Sequence, residues 1–438
     1  RATPQDVEEA LEASRQGFEV WRKVSALERG RTLRRAAEII KKRQEELATL
    51  ITLEMGKPIR DSRIEVETAL GMFDWFAEEA RRAYGRLIPP RTPGYRQMTL
   101  WEPVGPVAAF SGWNAAAITP ARKISGALAA GCSIVLKPSK ETPASALLIA
   151  EAFEQAGLPA GVLNIIFGDS GRISRELIES PIIRKITFTG ATDVGKRLSA
   201  LAVQSMKRMT MELGGHAPVI VFGDANPEEV AASAVAAKFR SAGQICTSPT
   251  RFYVHDSIYK KFVERFVEAA RQWPVGNGLD ENVRMGPLAN AQRLVEMEVL
   301  TDDARSRGIE VAVGGERIGG KGYFWKPTLL VDFDNECLAA NQEPFGPLAM
   351  VTSFSTFDEA VALANRLPFG LAAYAFTNDT HLATAIGDAI DSGTIAINHW
   401  QVSLPETPFG GVRDSGFGLE GGLEGLQSFQ KLKYISQA

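Results

Sequence analysis

Cysteine is scarce in this chain, with three residues in 438. No disulfide framework can be built from so few, which points to a reducing compartment, the cytoplasm by default. Histidine is nearly as rare, and His216, His255, His381 and His399 show no ligand spacing, so no metal is expected. Neither sign of charge prevails: 49 Lys and Arg stand against 52 Asp and Glu, a formal net charge of −3. A dedicated nucleic-acid partner usually demands a basic excess and is not expected. Long apolar runs are missing too. The longest charge-free stretch, Pro103 to Ala121, is nominally long enough for a bilayer. Its Pro103, Gly105, Pro106, Gly112, Asn114 and Pro120 would leave backbone groups unpaired in lipid. Neither a membrane span nor a secretory signal is expected. The chain opens at Arg1 without Met, compatible with a few trimmed residues.

What is present is average: 45% apolar and 23% charged residues, as in soluble globular proteins. The length implies about three domain-sized units. Residues 4–85 repeat apolar positions at helical spacing. From about Tyr95 short apolar runs alternate with helices. Strands are expected at 97–101, 107–110, 133–136, 163–167 and 182–188, and helices at 120–130 and from Thr142 (as N-cap) to Gly157. A second α/β region begins near Gly215, with strands at 218–222, 251–255, 371–376, 393–398 and a last one at 431–435. Its helices start at Asn226, at Asp256 as a cap, and at Thr356. The β–α–β rhythm implies parallel sheets covered by helices on both faces. The fold class expected is α/β, with two doubly wound, Rossmann-like domains and a small β extension. The boundaries read as 1–94 with 108–214, then 215–408, then 95–107 with 409–438.

Four stretches carry chemistry. Cys246 lies in Gly243-Gln244-Ile245-Cys246, past the end of a helix and in a turn, where a thiol is accessible enough to act as a nucleophile. Taken alone it reads equally as a small buried hydrophobe. Glu212, before Gly214-Gly215, is a carboxylate between the two α/β regions, a general base or an ordinary turn residue. Asn114 ends the loop Phe110-Ser111-Gly112-Trp113-Asn114, either an oxyanion donor or a turn former. Phe188-Thr189-Gly190-Ala191, followed by Val194, feeds a helix N-terminus suited to a diphosphate but lacks the usual three-glycine dinucleotide fingerprint.

Together with Lys137-Pro138-Ser139, Glu343-Pro344-Phe345-Gly346-Pro347 and Pro408-Phe409-Gly410-Gly411, these stretches resemble the aldehyde dehydrogenase superfamily, in its order and along essentially the whole chain. The resemblance implies that Cys246 attacks an aldehyde to give a thiohemiacetal, with Asn114 and the Cys246 N–H holding the oxyanion. Glu212 would activate the water that hydrolyses the ensuing thioester, and Lys123 would assist proton movement. The implied cofactor cleft comprises Phe110, Ser111, Trp113, Lys137, Ser139, Lys140, Phe188, Thr189, Gly190, Ala191, Val194, Leu213, Glu343 and Phe345. Lys140 stands where NAD-preferring relatives often carry a glutamate. Beside Ser139 it suits a 2′-phosphate, so NADP is favoured with NAD possible.

Arg122, Arg240 and Ser403 match the succinate-semialdehyde branch, whose equivalents bind the distal carboxylate. The alternative for both arginines is a helix surface. Ser248 replaces a second cysteine common in that branch, and His399-Trp400 replaces small residues. The expected substrate is succinate semialdehyde or a similar ω-carboxylate aldehyde. A broad-range aliphatic or aromatic aldehyde dehydrogenase is the alternative. The strands at 97–101 and 431–435 would pair into an oligomerisation sheet, giving a homodimer or homotetramer.

Overall fold

The short apolar runs fold as strands buried on both faces and assemble into two largely parallel sheets in a computed structural model, which describes residues 1–438. The first sheet reads, edge to edge, Gly416–Phe417, Arg208–Glu212, Lys185–Thr189, Val107–Phe110, Ile134–Lys137 and Leu163–Ile165. All its pairings are parallel except the two-residue edge. Val107–Phe110 is paired on one side with the strand that follows it and on the other with a later one. Such a reversal opens a crevice at the carboxyl ends of the strands.

The second sheet has seven strands, in the order Glu310–Val313, Thr328–Val331, Leu348–Phe354, Pro249–His255, Ala217–Val221, Ala372–Phe376 and Thr394–Ile397. Only the Glu310–Val313 edge is antiparallel. Each sheet has its own core: one cluster draws all its residues from 217–402, and another joins the N-terminal helices to the first sheet. No helix is long and apolar enough to cross a membrane.

The third element is a three-stranded antiparallel sheet of Arg86–Ile88, Arg96–Pro103 and Gln430–Gln437. It differs from the sequence reading at both ends. The strand at 86–88 is short, exposed and followed by Pro89-Pro90, so it carries no alternation to read. Residues 409–429 do not belong to the extension. Gly416–Phe417 edges the first sheet, and Leu426 and Phe429 are buried in the core of the first domain. The strands at 208–212, 310–313, 328–331 and 348–354 and the helix Ala291–Ser306 were likewise not anticipated. The strands among them are short, or begin on charged residues, or follow directly on Gly346-Pro347.

Thr142 is the N-cap ahead of Pro143, as expected, but its side chain makes no cap bond; Glu54 accepts the amides of Ala144 (2.6 Å) and Ser145 (3.1 Å) instead. One cap is corrected. Asp256 is the first helical residue, and His255 accepts from the Ser257 amide. Asn226 caps its helix as read, accepting from Glu228 and Glu229.

The placement of 409–429 is open to test. Phe429 is buried against Gly126, with the Lys185 ammonium 4.9 Å from its ring centre. Phe429→Ala should cost about 3–5 kcal/mol, the usual range for a buried aromatic. Thermal unfolding reads this as a lower midpoint. An unchanged midpoint would mean that the segment is peripheral to the first domain.

Candidate active site

The carboxyl ends of the first sheet point at the turn that enters Pro249–His255 of the second, and the site forms between them. Val107–Phe110 leads into the loop carrying Asn114, Lys185–Thr189 into Gly190, and Arg208–Glu212 ends on Glu212 itself. From the other domain, the helix Pro227–Phe239 stops and the chain turns through Ser241 (φ 51°), Ala242 (φ 54°) and Gly243 (φ 67°) before Cys246. Three successive left-handed residues are costly for an L-chain, and strain of this kind concentrates at functional sites. Gly243 is required sterically as well, since a Cβ there would lie 2.2 Å from the Gly346 carbonyl oxygen. The turn is braced by Lys238 Nζ donating to Ser248 Oγ (3.1 Å), by Tyr374 donating to the Thr247 carbonyl (2.7 Å) and by the Ala289 amide donating to Gln244 (2.9 Å).

Two cavities meet here, of about 460 and about 1060 Å³. Four residues line both: Asn114, Thr189, Glu212 and Cys246. A molecule in either cavity can therefore be approached from the other only past this junction. All fourteen residues expected to hold the cofactor line the larger cavity, and Arg122, Arg240 and Ser403 line the smaller. Lys123 lines neither. It is fully buried beneath the site, donating to Glu420 (2.6 Å) and to Thr187 (3.0 Å).

The larger cavity fits an extended dinucleotide. Ser111 Oγ and Thr189 Oγ1 are buried there without a hydrogen-bond partner. The helix Thr192–Val203 starts beside it with no side-chain cap, leaving amides free for a phosphate. Gly190 leaves no room for a side chain, because a Cβ would meet the Phe188 ring at 2.6 Å. Ser139 donates to Glu141 (2.5 Å), and the exposed Lys140 lies 3.8 Å from the same carboxylate. Arg175, Arg197 and Arg293 line the cavity as well.

In the smaller cavity the two arginines differ. Arg122 is buried, donates to Ser403 Oγ (2.7 Å), stacks 4.6 Å from the Phe409 ring centre and lies 3.7 Å from Glu420. Its Nε has no partner. Arg240 is exposed at the cavity wall. It faces Asp61, whose carboxyl is raised by burial and pulled back by Arg240. Tyr374, Phe409 and Trp400 supply aromatic walls, with the Tyr374 and Trp400 rings 5.1 Å apart and Trp400 Nε1 unpartnered. Sequence reading missed Lys57, Asp61, Glu65 and Glu420. A glutamate inside the glycine-rich stretch 416–422 was a visible signal for Glu420. Nothing in the sequence marked the three residues of the N-terminal helical region.

Burial raises the Cys246 thiol well above the usual cysteine range, and the charge of Glu212 adds to the effect. Glu212 is itself raised, by burial first and then by Glu420. Glu343, which accepts the Gly215 amide (3.1 Å), is pushed up to about 8 by burial. Burial also works to raise Glu420, but Lys123 and Arg122 outweigh it and hold that carboxyl below its ordinary value. The junction thus places a thiol held towards its protonated form beside a carboxyl that burial also pushes towards its neutral form.

The chain matches the family model described as aldehyde dehydrogenase family over residues 1–435. It is 44% identical to a 4-(hydroxymethyl)benzenesulfonate dehydrogenase of Comamonas testosteroni, covering 99% of this chain and 90% of that protein. It is 38% identical to an NADP-type succinate-semialdehyde dehydrogenase of Escherichia coli, covering 97% and 88%. A crystal structure of a succinate-semialdehyde dehydrogenase from Burkholderia pseudomallei superposes with a TM-score of 0.97 at 38% identity, covering 99% of this chain and 90% of that one.

The thiol–carboxylate pairing yields a pH prediction. Labelling of Cys246 by iodoacetamide should be slow at neutral pH and rise only through the alkaline range. Glu212→Gln removes a negative charge from beside the thiol. The labelling midpoint should then fall by about one pH unit or more, since a contacting charge shifts a pKa by roughly 1–3 units. A midpoint that does not move would mean that Glu212 does not control the thiol.

Proposed function

The chain belongs to the aldehyde dehydrogenase family, and from that premise we propose that it oxidises an aldehyde bearing a distal anion, in the first place succinate semialdehyde to succinate. The observation that carries this reading is Arg122, a buried cation on Ser403 in a cavity with apolar walls that ends at Cys246. A carboxylate leaves water only for a paired, hydrogen-bonding cation, and a guanidinium is suited to it.

In this reading Cys246 Sγ bonds to the aldehyde carbon while its proton passes to the neighbouring Glu212. The oxyanion of the thiohemiacetal accepts from the Asn114 side-chain amide and the Cys246 N–H, donors already in place as the charge develops. A bound nicotinamide dinucleotide, the cofactor class of the family, supplies the two-electron oxidation that leaves a thioester on Cys246. Once Glu212 has released that first proton to solvent, it takes a proton from the water attacking the thioester and returns it to the departing sulfur, releasing the acid and the free thiol. Lys123 acts at one remove, through Glu420, whose charge is felt at Glu212. Lys137 and Glu343 would hold the cofactor's two riboses and Gly190 the approach to its diphosphate.

A second reading, an aromatic aldehyde, is favoured by Trp400 and Tyr374. The Comamonas relative is named for an aromatic substrate that also carries a distal anion. Three free cysteines suit the cytoplasm. We also propose self-association as a homodimer or homotetramer, because Gln430–Gln437 is an open edge with Leu432 and Tyr434 exposed.

Two experiments test these proposals. Arg122→Ala should raise KM for succinate semialdehyde and 4-carboxybenzaldehyde far more than for butanal and benzaldehyde. Arg240→Ala should do so less, because Asp61 already faces that arginine. Equal losses on charged and neutral aldehydes would remove anion recognition, and the better of the two charged substrates chooses between the readings. For the cofactor, kcat/KM should favour NADP, and Lys140→Glu should move the preference towards NAD by bringing a carboxylate against the 2′-phosphate. A wild-type preference for NAD would sink the Lys140 argument.

A further inference from the structure

The helix Ile118–Ala130, which carries both Arg122 and Lys123, begins after Ala115-Ala116-Ala117 and has no capping side chain of its own. Its first amides are nevertheless satisfied. Glu65, from the helix Ile59–Glu79, accepts from the Ala117 amide at 2.7 Å and from Ile118 at 3.4 Å. Lys57, in the turn before that helix, donates to the Asn114 backbone carbonyl at 2.9 Å and forms an ion pair with Glu65. Both side chains are buried, at 6% and 3% exposure, and both border the smaller cavity. One ion pair therefore grips the loop at Asn114 and again three residues later.

Lys57 is itself set by the second domain. The Ile59 amide donates to the Gly278 carbonyl at 2.7 Å. A Cβ on Gly278 would lie 2.7 Å from the Lys57 carbonyl oxygen, and one on Gly286 would lie 1.7 Å from that of Gly56. These approaches fix the turn against residues 278–286.

We propose that Lys57 and Glu65 are positioning residues for the oxyanion donor, holding Asn114 at the junction of the two cavities and doing so only while the two domains are docked. The proposal rests on the reading of Asn114 as that donor. Neither residue touches the reacting atoms. Each acts through the backbone of 114–118, where a displacement of about 1 Å can cost about 100-fold in rate.

The test is a mutant cycle read in the first turnover, as the rate of reduced-cofactor formation at saturating aldehyde. Asn114→Ala should slow it by about 10²–10³-fold, as loss of an oxyanion donor does. Lys57→Met should slow it by up to about 100-fold, and should add little in the Asn114→Ala background, since two groups acting through one contact are not additive. Lys57→Met leaves Glu65 buried and uncompensated, so the double variant Lys57→Met/Glu65→Met is the stricter test. Replacing both charges by apolar groups is often neutral for stability, yet it removes both anchors. It should keep the wild-type cofactor Kd, with a thermal midpoint lowered only by the loss of the acceptor for the Ala117 and Ile118 amides, while turning over slowly.

Wild-type turnover in that double variant would overturn the clamp, as would losses that add fully to those of Asn114→Ala. An Asn114→Ala enzyme with undiminished first turnover would instead overturn the oxyanion reading and the clamp with it. The two failures are thus told apart by the single Asn114 variant.

Discussion

A helix that starts inside a reaction centre must satisfy its first amides without filling the space the substrate needs. Here the run Ala115–Ala117 keeps that space open and supplies no cap, so the cap comes from Glu65 on another helix. A carboxylate so deeply buried requires a counter-charge, because an unpaired ion in a protein interior is strongly destabilising. Lys57 provides it, and its remaining hydrogen-bonding capacity goes to the carbonyl of Asn114. The turn that delivers Lys57 is in turn held against the second domain by backbone contacts too close to admit side chains. Cap, counter-ion, loop and domain contact are consequences of one requirement. Glu54 on the amides of Ala144 and Ser145 is the same solution used once more, beside the larger cavity.

The second ion cluster, Lys123–Glu420–Arg122, works against a different problem. To serve as the proposed base, Glu212 would have to remain usable although it is buried, and burial favours its neutral form. The positive charges of Lys123 and Arg122 pull it back, while Glu420 pushes it up and is itself held ionised by the same two cations. The proton balance at Cys246 is therefore set several residues away from the sulfur. The strained turn 241–243 is part of the same arrangement, because it brings the thiol out of the helix end and up to the carboxylate.

Two strands beside the site, Val107–Phe110 and Lys185–Thr189, were legible because each joins a buried apolar run to a helix, whereas Arg208–Glu212, which begins on a charged residue, was not. The nucleophile, base and oxyanion residues were named from short motifs, and the chain brings Cys246, Glu212 and Asn114 to one junction because each motif sits at the end of a strand or helix. What escaped has a common physical cause. Asp61 and Glu65 lie on an amphipathic helix, and Lys57 in the turn before it, where a charged residue normally means a solvated face. Only the tertiary packing turns that face inward. The C-terminal segment failed for the opposite reason. Gly410 to Gly425 carries little periodicity, so the sheet edge at 416–417 could not be read from pattern, and the one signal for Glu420 was a lone carboxylate among glycines.

The arginines show how the same residue type can be right in place and unequal in effect. Both border the smaller cavity, but each brings its own carboxylate: Glu420 3.7 Å from Arg122, and Asp61 opposite Arg240. With Lys57 already committed to Glu65, the cavity holds no surplus of positive charge. Under the proposed function an anionic substrate would therefore not be drawn in by net charge. It would be accepted at one point, where Arg122 is desolvated, oriented by Ser403 and Phe409, and left with an unpartnered Nε. Glu420 is bound more closely by Lys123 than by Arg122, at 2.6 against 3.7 Å, so Arg122 retains capacity for a second anion. Recognition of this kind counts donors rather than charges. It discriminates by where the anion sits along the substrate, and thus by the length and shape of the group that joins it to the aldehyde.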